Sequence, residues 1–155
     1  GDIKGKRVVD ICAAPGGKTA QLIAAGAKVT ALDISKNRIE LLKQNLSRLG
    51  YAADCIAADA LKWKPDLTPD AILLDAPCSA TGTLRRHPDV ALNKSAGDII
   101  RLAATQKKLL NHALDMLPKA GKLVYAVCSL QPEEGEYQIN RLLNERSDVA
   151  IAPIT

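Results

Sequence analysis

The sequence predicts a three-layer α/β fold with a mostly parallel sheet and helices on both faces, in one domain over residues 1–155. Three observations carry that prediction. Short apolar runs alternate with segments whose apolar residues recur every three or four positions. Hydrophobic residues make up 47% of the 155, enough for one sizeable core, and with 3% aromatics and no Phe that core must be aliphatic. Acids and thiols stand at the ends of the apolar runs, at Asp10–Cys12, Asp33, Asp59, Asp75–Cys78 and Cys128. In such sheets ligands bind outside the carboxyl ends of the strands, so these groups are expected to face one crevice.

Arg7 to Cys12 reads as a short buried strand, and Ala13-Ala14-Pro15-Gly16-Gly17-Lys18-Thr19 as a turn of small residues. A helix follows through Ala25, stopped by Gly26. Lys28 to Asp33 is the second strand. Ser35 caps a long helix to Leu49 with Ile39, Leu42, Leu46 and Leu49 on its inner face, and Gly50 ends it. Asp54 to Asp59 is a weaker third strand, residues 63–69 are a loop, and Asp70 to Asp75 is the fourth strand. Residues 78–97 form a polar connection, a length usually kept for function. A helix from Asp98 to Leu117 shows Ile99, Leu102, Leu109, Leu110, Ala113 and Leu117 as its inner face, with His112 as a surface or packing residue. Residues 121–127 are the fifth strand. Pro132-Glu133-Glu134 opens a last helix to about Glu145, with Pro where no N–H is needed and acids at the positive end of the dipole.

Charge and cysteine usage narrow the function classes. A net charge of +4, from 21 basic and 17 acidic residues, permits a nucleic-acid partner without requiring one. No apolar run approaches the roughly 18–20 residues of a membrane span, and no signal peptide is visible. The four cysteines, Cys12, Cys55, Cys78 and Cys128, show no CxxC spacing, so a metal site is not expected and a reduced, cytoplasmic setting is.

The first 60 residues carry a cofactor pattern. A glycine turn after strand one lets a ligand approach the backbone, and an acid ending strand two can accept both hydroxyls of a ribose. The turn is not GxGxxG, and a P-loop would need glycine where Cys12 stands. Asp59 is placed to accept an adenine amine. Acids at Asp33, Asp59 and Asp75 suit a non-phosphorylated, cationic adenosine ligand, S-adenosylmethionine, better than a dinucleotide. A strand-end Asp can equally be a helix cap, and Cys12 reads as a small core residue whose backbone meets the ligand.

The later segments carry thiol chemistry. Carbon-5 of a pyrimidine becomes nucleophilic when a thiolate adds to carbon-6, which calls for an activated cysteine, an acid near N3 and a pocket for an exposed base. Asp75 is the acid, and either Cys78 or Cys128, each followed by Ser, can be the thiol. Arg85, Arg86 and His87 can contact phosphates or form a solvated loop.

Four segments together are similar to the Sun/Fmu (RsmB-like) RNA cytosine-5 methyltransferases of the NOL1/NOP2/Sun family. They are Asp10-Ile11-Cys12-Ala13-Ala14-Pro15-Gly16-Gly17-Lys18-Thr19, Asp75-Ala76-Pro77-Cys78-Ser79-Ala80-Thr81-Gly82, Arg85-Arg86-His87-Pro88-Asp89, and residues 125–134 around Cys128. The resemblance implies a Rossmann-like class I S-adenosylmethionine-dependent methyltransferase fold and methylation of RNA, with 16S ribosomal RNA as the expected substrate. It implies cofactor binding by Cys12, Ala13, Ala14, Pro15, Gly16, Gly17 and Lys18 with Asp33, Asp59 and Asp75. It makes Cys128 the nucleophile and Cys78 the thiol that assists product release. A monomer is expected, as the catalytic part of a longer protein whose RNA-binding region precedes it. Val127 stands where the family carries Thr, which motivates an alternative: a non-catalytic RNA-binding or ribosome-assembly module on the same fold.

Overall fold

The computed structural model describes residues 2–152. Strands β1 (Arg7–Ile11), β2 (Lys28–Asp33), β3 (Asp54–Ala57), β4 (Ala71–Asp75) and β5 (Lys122–Ala126) form one sheet in the order β3-β2-β1-β4-β5. Every pairing is parallel. The chain walks outward from β1 to β3 and returns to place β4 beside β1, so the strand order reverses between β1 and β4. That switch point is where open α/β sheets bind ligands. The helices are α1 (Gly17–Ala24), α2 (Lys36–Arg48), α3 (Val90–Asn93), α4 (Ala96–Asp115) and α5 (Glu136–Glu145).

The chain divides into two compact units. The first joins Gly1–Ala76 to His112–Ala126 and holds the whole sheet with α1 and α2. Its core is aliphatic: Ala31, Leu32, Leu42 and Leu74 are fully buried, with Ile11 and Ile72 nearly so. Leu42 and Leu46 of α2 pack with Ala13, Ala14 and Ala31, and Ile23 of α1 joins them. Each large aliphatic side chain among these contributes about 1.5–3 kcal/mol by leaving water. The second unit joins Pro77–Asn111 to Val127–Thr155.

Most elements fall where the sequence places them, and the departures have local causes. β3 ends at Ala57, not Asp59, because its partner β2 ends there: Asp33 pairs with Ala57, and Ala58 N–H makes the last bond to Asp33 O. Leu49, expected on the inner face of α2, is 47% exposed, since it is already the C-cap residue. Helix α4 starts two residues before Asp98. Ser95 and Asp98 cap each other reciprocally, Ser95 N–H donating to Asp98 Oδ2 at 2.9 Å and Asp98 N–H to Ser95 Oγ at 3.3 Å. Pro132–Glu134 is a separate 3₁₀ turn, because Gly135 breaks away from helical geometry before α5 begins.

Candidate functional site

The first unit positions the glycine turn by direct bracing. Cys12 takes a left-handed backbone, φ 63°, and turns the chain out of β1. Ala13 N–H then donates to Leu32 O at 3.0 Å. Helix α2 holds the turn from outside: Arg38 donates to Ala14 O, and Asn45 Nδ2 to Pro15 O at 2.9 Å. Gly16 has φ 102° and packs so close to α2 that a Cβ there would lie 3.0 Å from Leu42 Cγ. Gly17 faces open space, with nothing within 4 Å of such a Cβ.

The acids of this unit have unequal surroundings. Asp33, at the end of β2, has a side chain 1% exposed; it accepts from Ala14 N–H (3.3 Å) and Ser35 N–H (3.1 Å) and forms an ion pair with the Arg38 guanidinium (3.3 Å). A carboxylate offers about four lone-pair sites. Two hydrogen bonds and one ion pair thus already engage Asp33. Asp59 lies two residues beyond β3, and its Oδ1 accepts from Leu61 N–H at 3.0 Å, which caps the turn into Trp63. Asp75 ends β4 and pairs with Lys18, Nζ to Oδ2 2.7 Å, both half-exposed. That pair joins the first turn of α1 to the end of β4, across the switch point.

Asp10, the least conspicuous of these acids in the sequence, has the most unusual setting. It is fully buried, and Oδ2 accepts from Thr19 Oγ1 at 2.6 Å. Oδ1 has no hydrogen-bond partner among the described residues. Burial pushes its pKa from 3.8 up to about 6, against the Thr19 bond, with the Asp75 charge adding to the rise. Burial and the neighbouring Asp33 carboxylate push the Cys12 thiol up to about 12, so its sulfur stays neutral and unreactive.

The second unit holds the two thiols. Cys78 Sγ and Cys128 Sγ lie 3.4 Å apart, Cys128 exposed and Cys78 half-buried. Burial pushes Cys78 up to about 11, and the neighbouring Cys128 thiol adds to the rise against two opposing backbone hydrogen bonds. Gly82 approaches so closely that a Cβ would sit 2.9 Å from Cys128 O, the atom its N–H binds at 3.0 Å. Arg85, Arg86 and His87 are exposed on the turn that follows. Among the described residues their side chains have no hydrogen-bond or ion-pair partner, while Arg86 and His87 N–H both donate to Thr83 O.

Sequence reasoning missed what lies under the thiols. Glu134 is fully buried. It accepts from Ser79 N–H at 2.9 Å, from Ser79 Oγ at 2.5 Å and from Gln106 Nε2 at 3.0 Å. Two signals pointed there: a Ser after each cysteine, and Gln106 on the otherwise apolar face of α4. His112 is tied to the loop before β4, its Nε2 lying 3.0 Å from Trp63 O.

The family model for 16S rRNA methyltransferase RsmB/F matches residues 3–155. The chain belongs to this family. Ribosomal RNA small subunit methyltransferase B of Photorhabdus laumondii is 43% identical over 155 residues, covering 97% of this chain and 36% of that protein. The chain thus spans about a third of the length of such relatives. The crystal structure of PH0851 is 35% identical with a TM-score of 0.87, covering 94% of this chain and 34% of that one. The structure of NSun6 from Pyrococcus horikoshii with SFG is 36% identical with a TM-score of 0.80, covering 90% and 37%. The fold is accordingly the Rossmann-like one of S-adenosylmethionine-dependent methyltransferases.

Proposed function

We propose that residues 1–155 are the catalytic domain of a cytoplasmic, monomeric RNA cytosine-5 methyltransferase acting on 16S ribosomal RNA, with Cys128 as the covalent nucleophile. The observation that carries this reading is the thiol pair: two sulfurs 3.4 Å apart, the exposed one free to attack and the half-buried one held as a neutral thiol. Cys78, held as a thiol, can donate its S–H to the Cys128 sulfur.

Bound S-adenosylmethionine supplies a methyl group on a cationic sulfonium. The residues present fit such a ligand. Asp10 has a buried oxygen unpartnered among the described residues, and Gly17 leaves backbone open to a close approach. No phosphate cradle of GxGxxG or P-loop type is present in residues 10–19. In this reading residues 12–18 line the ligand's path, with Asp33 on the ribose, Asp59 on the adenine and Asp75 beside the methyl position.

Cys128 thiolate adds to carbon-6 of the cytosine, which moves electron density to carbon-5. Asp75 is the acid assigned in this reading to the edge of the base. After methyl transfer a base removes the carbon-5 proton, the carbon-5–carbon-6 double bond re-forms, and Cys128 leaves as thiolate. Cys78 S–H stabilises that leaving sulfur, which assigns it to product release. Arg85, Arg86 and His87, exposed and without side-chain partners among the described residues, meet the RNA phosphates.

The test is transfer of labelled methyl from S-adenosylmethionine to ribosomal RNA by the full-length protein. The expected product is labelled 5-methylcytosine. Cofactor binding with no label in that nucleotide would instead support the non-catalytic alternative.

A further inference from the structure

Each cysteine is followed by a serine, and the two serines meet. Ser79 Oγ and Ser129 Oγ lie 3.0 Å apart. Ser79 Oγ also binds the Glu134 carboxylate at 2.5 Å, so Ser129 is linked to that carboxylate through Ser79. Thr81 adds a second tie between the segments, its Oγ1 lying 3.2 Å from Ser129 Oγ and accepting from Leu130 N–H at 3.0 Å. On the Cys78 side, Glu134 grips the backbone as well, through Ser79 N–H at 2.9 Å, and Gln106 reaches from Glu134 to Pro77 O at 2.9 Å. One buried carboxylate thus fixes the residues on both sides of Cys78 and the residue after Cys128.

We propose that Glu134 is a positioning residue that sets the spacing and orientation of the Cys78 and Cys128 thiols through Ser79 and Ser129. The inference deepens the reading of these cysteines as the reacting pair and rests on it for its catalytic meaning. The arrangement suits a fixed spacing better than a loose one. A buried carboxylate that binds a backbone N–H, a hydroxyl and an amide is held by three groups at once, and moving it would break all of these bonds. Burial opposes ionisation of Glu134, yet the hydrogen bonding of Ser129, Ser79 and Gln106 outweighs it and holds the group below its ordinary pKa. It therefore stays an acceptor at neutral pH, and the Ser79 hydroxyl donates to it, which leaves Ser79 Oγ able to accept from Ser129.

The reaction with RNA is not needed to test this. A diazene oxidant such as diamide takes two electrons and two protons from a pair of thiols, forming a disulfide and a hydrazine. The rate of Cys78–Cys128 disulfide formation, resolved by peptide mass mapping of the full-length protein, reports how the thiols are held. The pH profile of alkylation at each cysteine reports the same arrangement independently. Native protein should form this disulfide rapidly and alkylate Cys78 only as the pH approaches about 11. Glu134→Gln and Ser129→Ala should each slow the disulfide by about tenfold or more and shift the Cys78 profile, with S-adenosylmethionine affinity unchanged. Native rates and native profiles in a folded Glu134→Gln protein overturn the proposal. Should that variant fail to fold, Ser129→Ala decides by the same readings. Slow disulfide formation in the native protein also overturns it. A native protein that forms the disulfide rapidly but methylates no RNA refutes the proposed reaction and leaves the positioning role standing.

Discussion

Replacing Asp10 by Asn separates the charge of a buried carboxyl from its shape. Asp10 is fully buried with one oxygen unpartnered among the described residues, and burial raises its pKa from 3.8 to about 6. A raised folded-state pKa means that the native state holds its proton more tightly than the unfolded chain. The stability this gives is fully present below about pH 3.8 and is lost as pH rises through about 6. The displacement corresponds to about 3 kcal/mol. Asn keeps an oxygen for Thr19 but leaves its amide N–H groups unpartnered where Oδ1 stood, at a cost of about 1–3 kcal/mol. That cost does not vary with pH, whereas the relief of charge burial does. The quantity to measure is therefore the stability of Asp10→Asn minus native, by urea unfolding of this chain at half-unit steps from pH 4 to pH 8. The difference should move in favour of the variant by about 2.4 kcal/mol over that range, equivalent to roughly 5–10 °C in melting temperature for a chain of this size. Parallel stability curves for the two proteins would overturn this, because they would show that Asp10 is not the group whose ionisation opposes folding.

Gly82→Ala places a methyl group 2.9 Å from Cys128 O, so the segment bearing the exposed thiol must shift. The expected loss is about 1–3 kcal/mol, as for other overpacked sites, read by thermal unfolding, together with slower disulfide formation between Cys78 and Cys128. Replacing Arg85, Arg86 and His87 together by Ala should weaken RNA binding similarly across sequences. The slope of log affinity against log salt should fall by about 1 for each phosphate no longer neutralised. Filter binding at several salt concentrations reads both, and an unchanged slope assigns these side chains to solvent.

The sheet was legible because its signals are local. β2 carries the predicted bounds, and Ser35 caps α2 as its position implied, its Oγ accepting from Arg38 N–H at 3.4 Å. Boundaries went wrong where a partner, not the segment itself, decides the end. Nothing in Cys55-Ile56-Ala57-Ala58-Asp59 shows that β2 runs out opposite Ala57. The turn residues 12–18 were identifiable by composition, but not the bracing from Arg38 and Asn45, nor the two backbone N–H bonds and the ion pair that engage Asp33. Glu134 was visible as an acid and fitted the dipole rule for a first helical turn. That rule failed because Gly135 ends the turn, which lets the carboxylate point inward to Ser79 instead of outward. The Lys18–Asp75 pair joins residues 57 apart in sequence, a distance at which only the strand order brings a helix start and a strand end together.

The proposed chemistry gives Cys128 the covalent bond to RNA and Cys78 a part in its release. Peptide mapping of protein–RNA adducts tests that division of labour directly. Adducts made by the full-length protein with S-adenosylmethionine and ribosomal RNA are compared between Cys78→Ala and Cys128→Ala. Cys78→Ala should accumulate an adduct in which the nucleotide is bonded to Cys128, and Cys128→Ala should form none. An adduct that survives in Cys128→Ala, bonded to Cys78, would reverse the two roles.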